Sequence, residues 1–205
     1  MSAGARLVVA TTNPNKLREI RGILNGTGVT VEGLEAFPPV AEPEETGATF
    51  AENARQKAVY YSAALGVTVV AEDSGLEIDG LGGEPGVQSA RYGGQAAETY
   101  PQKFALIYAG LRARGAMGSP ARFVCALAVA DGATILFEAR GTVEGRVRDA
   151  PAGDGGFGYD PIFFYPPLGR TLAELGEDEK ASVSHRGQAF RQLRDHLASR
   201  PAWWR

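Results

Sequence analysis

The sequence predicts an α/β protein: a mixed central sheet with flanking helices, in two lobes with the active-site cleft between them. Three observations predict it. Residues 6–71 alternate short apolar runs with apolar stripes at helical spacing, the pattern of strands joined by crossover helices. Residues 122–147 read as a β meander around Asp131-Gly132, a strong hairpin signal. No repeat and no flexible linker interrupts the 205 residues, so residues 1–205 are expected to form one domain of two lobes.

The elements follow in order. Arg6 to Ala10 is a short apolar run, expected to be a buried strand. Asn13 suits a helix N-cap and Pro14 the first helical position, and Leu17, Ile20, Ile23 and Leu24 then mark one apolar face before Asn25-Gly26 ends it. Val29 to Leu34 reads as a weak strand, and the Pro-rich, acidic segment Phe37 to Glu45 as a loop. Thr49-Phe-Ala-Glu52 is a capping-box pattern opening a helix whose stripe is Phe50, Ala54, Ala58, Tyr61 and Leu65, closed by Gly66. Val67 to Ala71 is expected to be a buried strand that ends at Glu72-Asp73-Ser74-Gly75, with a separate short strand at Leu76 to Leu81. Glu98 to Leu111 reads as a helix turning Phe104, Ile107 and Leu111 inward. The meander comprises Arg122 to Ala130, Ala133 to Ala139 and a third strand at Thr142 to Val147. Gly153 to Asp160 is a glycine-rich loop, Ile162 to Tyr165 a short apolar run, and Thr171 to Glu174 a second capping box. A last helix is expected from Ser184 to Ala198, with Phe190, Leu193 and Leu197 as its stripe.

Composition narrows the function. Lys plus Arg number 21 and Asp plus Glu 24, a formal net charge of −3, which argues against a nucleic-acid scaffold. The single cysteine, Cys125, excludes an internal disulfide framework and makes a reducing cytoplasm the simplest location. Met1 to Arg6 carries no long apolar region, Leu7 to Ala10 is too short for a signal peptide, and no stretch approaches the roughly 18 apolar residues of a membrane helix. A soluble, cytoplasmic protein with neither membrane nor nucleic acid as partner is the expectation. No Walker motif, no dinucleotide Gly-x-Gly-x-x-Gly after the first strand, no zinc-spaced Cys/His cluster and no Gly-x-Ser-x-Gly elbow is found.

Four polar clusters remain. Thr11 to Lys16 opens a helix, where unpaired N–H groups and the lysine suit a phosphate; a capped surface helix is the plainer alternative. Glu72-Asp73-Ser74-Gly75 places adjacent carboxylates beside a buried strand, costly unless a cation such as Mg²⁺ offsets them or the turn is solvated, and Glu44 or Glu45 could add a ligand. In Gly153-Asp-Gly-Gly-Phe-Gly-Tyr-Asp-Pro161, the glycines admit a ligand close to the backbone and Phe157 could stack on a flat base; alternatively Phe157 and Tyr159 simply fill the core around a tight turn. Lys180 and Ser184-His185-Arg186 put positive charge at a helix start, which calls for an anionic or hydrogen-bonding partner. Cations for phosphate, acids for Mg²⁺ and an aromatic glycine loop for a base together describe a nucleoside triphosphate.

The motifs Ala-Thr-Thr-Asn-Pro-Asn-Lys at 10–16, Glu-Glu-Thr-Gly-Ala-Thr-Phe-Ala-Glu-Asn-Ala at 44–54 and Glu-Asp-Ser-Gly-Leu at 72–76 appear in order. They are followed by Gly-Gly-Glu-Pro-Gly-Val-Gln-Ser-Ala-Arg-Tyr at 82–92, Gly-Gly-Phe-Gly-Tyr-Asp-Pro at 155–161 and Ser-His-Arg-Gly-Gln-Ala at 184–189. From Leu7 to Leu197 the chain resembles the inosine/xanthosine triphosphate pyrophosphatase family, the Ham1/RdgB-like non-canonical purine nucleoside triphosphate pyrophosphatases. The resemblance implies an elongated two-lobed fold, a homodimer, and Mg²⁺-dependent hydrolysis of (d)ITP and XTP to the monophosphate and pyrophosphate. It implies that Thr11, Thr12, Asn13, Pro14, Asn15 and Lys16 bind the triphosphate together with Lys57. Asp73 becomes proton acceptor and metal ligand, Glu45 a further metal ligand with Glu44 as the fallback, and Ser74 a substrate contact. Phe157, Gly158, Tyr159 and Asp160 hold base and sugar, and Lys180, His185 and Arg186 complete the purine pocket. Glu72 stands where many bacterial members have Asp.

The mechanism expected is attack of water on the α-phosphorus, with Asp73 or Glu72 orienting and deprotonating it while Lys16 and Lys57 stabilise phosphate charge. A pocket of backbone N–H groups plus Arg186 would accept a 6-oxo purine and leave a 6-amino donor unpaired. Three other readings stand beside it: a Maf-type pyrophosphatase for pyrimidine or modified nucleotides, a nucleotide-binding regulatory module without turnover, and a scaffold with no ligand, which the costly glycines of 153–158 disfavour.

Overall fold

In the computed structural model, which describes residues 6–199, the first strand β1 (Arg6–Val9) is buried along Leu7, Val8 and Val9. Helix α1 (Pro14–Leu24) starts at Asn13, whose side chain accepts from the Asn15 and Lys16 N–H groups, and it buries Leu17, Ile20 and Leu24. Strand β2 (Thr30–Gly33) pairs parallel with β1. The capping box of Thr49 and Glu52 opens α2 (Phe50–Leu65), and Gly66 in the left-handed conformation ends it. Strand β3 (Val69–Ile78) then pairs parallel with β1 on the other side from β2.

Helix α3 (Tyr100–Ala113) buries Phe104, Ile107 and Leu111, as its spacing requires. Strands β4 (Pro120–Asp131) and β5 (Thr134–Val147) flank the turn at Gly132 and are neighbours in the sheet. Two short strands, β6 (Phe163–Tyr165) and β7 (Arg170–Thr171), add antiparallel to β5 in turn. Helices α4 (Glu177–Val183) and α5 (His185–Ala198) follow. The sheet runs in the order β2-β1-β3-β4-β5-β6-β7, with parallel and antiparallel pairs. Among the described residues no helix is long and apolar enough to cross a membrane. Of the stretch read for a leader, Met1 to Ala10, residues 1–5 lie outside the described residues.

The chain divides into two compact units. The first comprises Met1–Asp73, Cys125–Gly141 and His185–Arg205, the second Ser74–Val124 and Thr142–Ser184. Each has its own apolar core. In the first, Leu7, Val9, Ile20, Val70, Leu127 and Phe190 pack together; in the second, Leu76, Ile78, Ile107, Leu111, Ile162 and Phe163 do.

Two expectations are corrected. Glu72 and Asp73 do not sit where a strand ends. Strand β3 runs unbroken through them, so the two strands expected at Val67 to Ala71 and Leu76 to Leu81 are largely one. Buried carboxylates break a strand only when nothing offsets their desolvation, and here cationic side chains do so. The third strand of the meander is likewise the continuation of β5, which passes through Gly141 without a break. A Cβ at Gly141 would collide with the His185 carbonyl, so the strand passes α5 at a distance only glycine permits. The second capping box is present at Thr171 and Glu174, but on a single 3-10 turn rather than an α-helix. Helix α4 was not foreseen.

Candidate active site

The first unit carries the charged groups. At the start of α1, Thr11 Oγ1 accepts from the Asn13 N–H at 3.2 Å, and Asn13 Oδ1 accepts from Asn15 and Lys16 at 2.9 and 3.3 Å. Thr11, Thr12, Asn13 and Pro14 are among the residues that line a cavity of about 870 Å³, together with Phe37 and Tyr61. Pro14, with no N–H, occupies a helical position where none is required.

On α2, Asn53 and Lys57 are one turn apart on the same face and both are buried. Lys57 Nζ reaches Glu45 Oε1 at 2.7 Å and Asp73 Oδ1 at 3.4 Å. Asn53 donates to Asp73 Oδ2 at 2.9 Å and accepts from the Gly47 N–H at 2.8 Å. The loop bearing Glu45 is thereby tied to the carboxylate of β3. Glu45 is half-buried and makes this contact, whereas Glu44 is exposed.

Adjacent residues of a strand project to opposite faces, so Glu72 and Asp73 meet different partners. Glu72 Oε1 receives Lys16 Nζ at 3.0 Å and two Arg186 nitrogens at 3.2 and 3.3 Å, and its Oε2 accepts from Cys125 Sγ at 3.6 Å. Arg186 also donates to Glu19 at 2.6 Å. The positive charge that opens α5 thus has its anionic partners. Arg186 is only 1 % exposed and each guanidinium nitrogen is engaged.

The two acids consequently titrate in opposite directions. Burial pushes both upward. For Glu72, Arg186, Lys16 and Lys57 outweigh burial and hold the carboxyl far below the usual carboxylate range. For Asp73 burial prevails, aided by Glu45 and Glu72 against the opposing Lys57 and Asn53, so its carboxyl is raised and more ready to take a proton. Burial disfavours the Lys57 ammonium, but Asp73 and Glu45 outweigh it and keep its pKa above the ordinary lysine value. Burial beside Glu72 pushes the Cys125 thiol well up, leaving it a neutral donor.

The second unit carries the aromatic loop. Asp160 is 2 % exposed, and its Oδ2 receives both Lys180 Nζ at 2.6 Å and the Phe157 N–H at 2.7 Å. Lys180 Nζ lies 4.6 Å from the centre of the Phe157 ring, a cation–π distance. Gly156 has φ +65°, and any Cβ there would strike Asp160 Oδ2, so glycine is demanded by both conformation and space. Phe157 and Gly158 are half-buried. The Tyr159 side chain is committed to the core: its hydroxyl donates to the Ser89 carbonyl at 2.8 Å and its ring meets Tyr100 edge-on at 5.2 Å. Ser74 is half-buried where the second unit begins, and His185, buried, opens α5 in the first.

Sequence reasoning missed Asn53 and Glu19. Asn53 had a signal: with Lys57 it interrupts an apolar stripe at i, i+4, and two polar residues so placed on a buried face must meet something polar. Glu19 had none, because its partner lies 167 residues away. Among the described residues no cluster of three His, Cys, Asp or Glu side chains gathers as a metal cage.

Comparison with known proteins gives a consistent outcome. The pattern of the Ham1 family matches residues 7–196. A dITP/XTP pyrophosphatase of an Exiguobacterium species is 46 % identical over 188 residues, covering 92 % of this chain and 94 % of that protein. One from Thermus thermophilus is 47 % identical over 197 residues, covering 94 % and 92 %. Among solved structures, a HAM1 protein from Coxiella burnetii superposes with a TM-score of 0.87 at 37 % identity, covering 95 % of this chain and 99 % of that one. The Staphylococcus aureus Ham1 protein does so with 0.84 at 35 %, covering 96 % and 100 %. A full-length match in sequence and in sheet architecture leaves one assignment: the chain belongs to the Ham1 family.

Proposed function

We propose that this protein hydrolyses non-canonical purine nucleoside triphosphates, dITP/ITP and XTP, to the monophosphate and pyrophosphate, removing them from the nucleotide pool. The observation that carries the reading is the pair of lysines, each held against a carboxylate of adjacent strand residues: Lys16 on Glu72 and Lys57 on Asp73. The names of its relatives, dITP/XTP pyrophosphatases, support the substrate.

Asp73 is the base. It takes a proton from water as the oxygen attacks the α-phosphorus; the α–β anhydride bond breaks, and pyrophosphate leaves with the bond's electron pair. Asn53 holds one oxygen of Asp73 and orients the other. The N–H groups at the start of α1, with Lys16 and Lys57, offset the phosphate charge as it redistributes. Lys57 meets Glu45 and Asp73 together, so two hard oxygen donors converge on one positive centre. Two carboxylates with substrate phosphates and water are the usual donor set of Mg²⁺, and Glu45 and Asp73 are the residues that would hold it. When bound it supplies positive charge to the polyphosphate.

Phe157 stacks on the base, over the Asp160–Lys180 pair that shapes its loop. With the Arg186 nitrogens committed to Glu72 and Glu19, recognition of the 6-oxo group rests on Lys180 and backbone donors. A 6-amino purine would leave such donors unmet, at about 1–3 kcal/mol each. We further assign the chain as one domain and a homodimer on family resemblance, and to the cytoplasm on its single cysteine.

The test is a panel of dITP, XTP, dATP, dGTP, dUTP and dTTP with and without Mg²⁺, resolving pyrophosphate from orthophosphate, on the unmutated protein and on Asp73→Asn. Pyrophosphate from dITP and XTP, reduced about a hundredfold to ten-thousandfold in the variant, is expected. Orthophosphate as first product, preference for pyrimidines, or near-normal turnover by Asp73→Asn would each remove the assignment.

A further inference from the structure

We infer that Glu72 is a positioning residue for Lys16: it holds the lysine ammonium in place for the polyphosphate and takes no proton itself. The inference rests on the pyrophosphatase reading and adds to it a residue that acts through another.

Four side chains form a closed ring of alternating charge. Lys16 Nζ meets Glu72 Oε1 at 3.0 Å. The same oxygen receives Arg186 Nε at 3.3 Å and Nη2 at 3.2 Å. Arg186 Nη1 donates to Glu19 at 2.6 Å. Glu19 and Lys16 are three residues apart on α1, which closes the ring through the helix backbone. Two carboxylates and two cations balance, so the buried centre carries no net charge.

The middle of the ring is sealed and its ends are not. Glu72 is 3 % exposed and Arg186 1 %, whereas the side chains of Lys16 and Glu19 keep 20 % and 19 % of their surface. Glu72 is thus a buried inner anchor for a lysine whose side chain stays partly exposed. A free lysine has four rotatable bonds and no preferred tip position. Fixed to an oxygen that Arg186 pins with two nitrogens, it cannot swing. Glu72 Oε1 serves three donors and Oε2 a fourth, Cys125, whereas each Asp73 oxygen meets one, Lys57 or Asn53, among the contacts described above.

The experiment is a double-mutant cycle in the full chain. Glu72→Gln is made alone and on Lys16→Met, and kcat for dITP is measured by pyrophosphate release, with the thermal midpoint recorded for every variant. Alone, Glu72→Gln lowers kcat about tenfold to a hundredfold, the effect of a misplaced reacting group. On Lys16→Met it changes kcat by less than about twofold, because the group it positions is gone. An equal loss on both backgrounds overturns the inference, since Glu72 then acts on the reactants directly. A lower thermal midpoint with unchanged kcat also overturns it, as a merely structural bridge would give. If Glu72→Gln does not fold, Glu72→Asp carries the same cycle, with the same loss expected only where Lys16 is present. No pyrophosphate from the unmutated protein removes the reading and the inference together; activity with an equal loss removes the inference alone.

Discussion

Both units bury an ion pair, and they build it differently. In the first, Arg186 and Glu72 are tied to Lys16 and Glu19, so four side chains from α1, β3 and α5 share the charge. In the second, Lys180 and Asp160 form one pair, supplemented by a backbone N–H of the Phe157 loop and the Phe157 ring. The first arrangement fastens separate elements of secondary structure to each other. The second shapes a single loop of glycines around its own anion. A buried charge can thus serve as a rivet between elements or as a former for one segment, and what decides is how many elements contribute partners.

The largest effect expected from breaking this contrast is at Arg186. Arg186→Met strips the buried Glu72 and the half-buried Glu19 of their shared cation and lowers stability by about 3–5 kcal/mol, read from urea unfolding. Lys180→Met is milder. The Phe157 N–H still donates to Asp160, so the loss is about 2 kcal/mol, and in the panel assay it raises KM for dITP more than it lowers kcat. If Lys180→Met proves as damaging as Arg186→Met, the difference between rivet and former disappears.

The smallest effect sharpens the same contrast from another side. The Tyr108 hydroxyl, in the second unit, is buried with no hydrogen-bond partner among the described residues. Burial, with Asp149, pushes its pKa up to about 12, against Arg112 and Arg148. A raised folded-state pKa means the neutral phenol contributes stability that is complete below its ordinary value near 10 and is lost as pH rises toward 12. Tyr108→Phe removes an unmet polar group and gains about 1 kcal/mol at neutral pH. It also flattens the alkaline loss between those two pH values, and denaturant melts at pH 8, 10 and 11.5 check both. An unchanged alkaline slope would mean that Tyr108 does not govern it.

Much of the site was legible because it is local. Asn13 and Pro14 announced α1, Thr49 and Glu52 announced α2, and the glycines of 153–158 announced a loop that a side chain at Gly156 would break. The acids at 72 and 73 were visible as a pair but misplaced at a strand end. Carboxylates disrupt a strand only when unpaired, and their partners are remote in sequence: Lys57 is 16 residues from Asp73 and Arg186 is 114 from Glu72.

By itself the sequence determined the starts of α1 and α2, the apolar faces, the hairpin at Gly132 and, through six ordered motifs, the family. These depend on spacing and on the conformational limits of single residues, which act over a few positions. Only the tertiary structure decided which carboxylate is exhausted by cations and which is lifted by burial. Charge–charge energies follow distance in space, and the distance between Arg186 and Glu72 exists only once the sheet has formed.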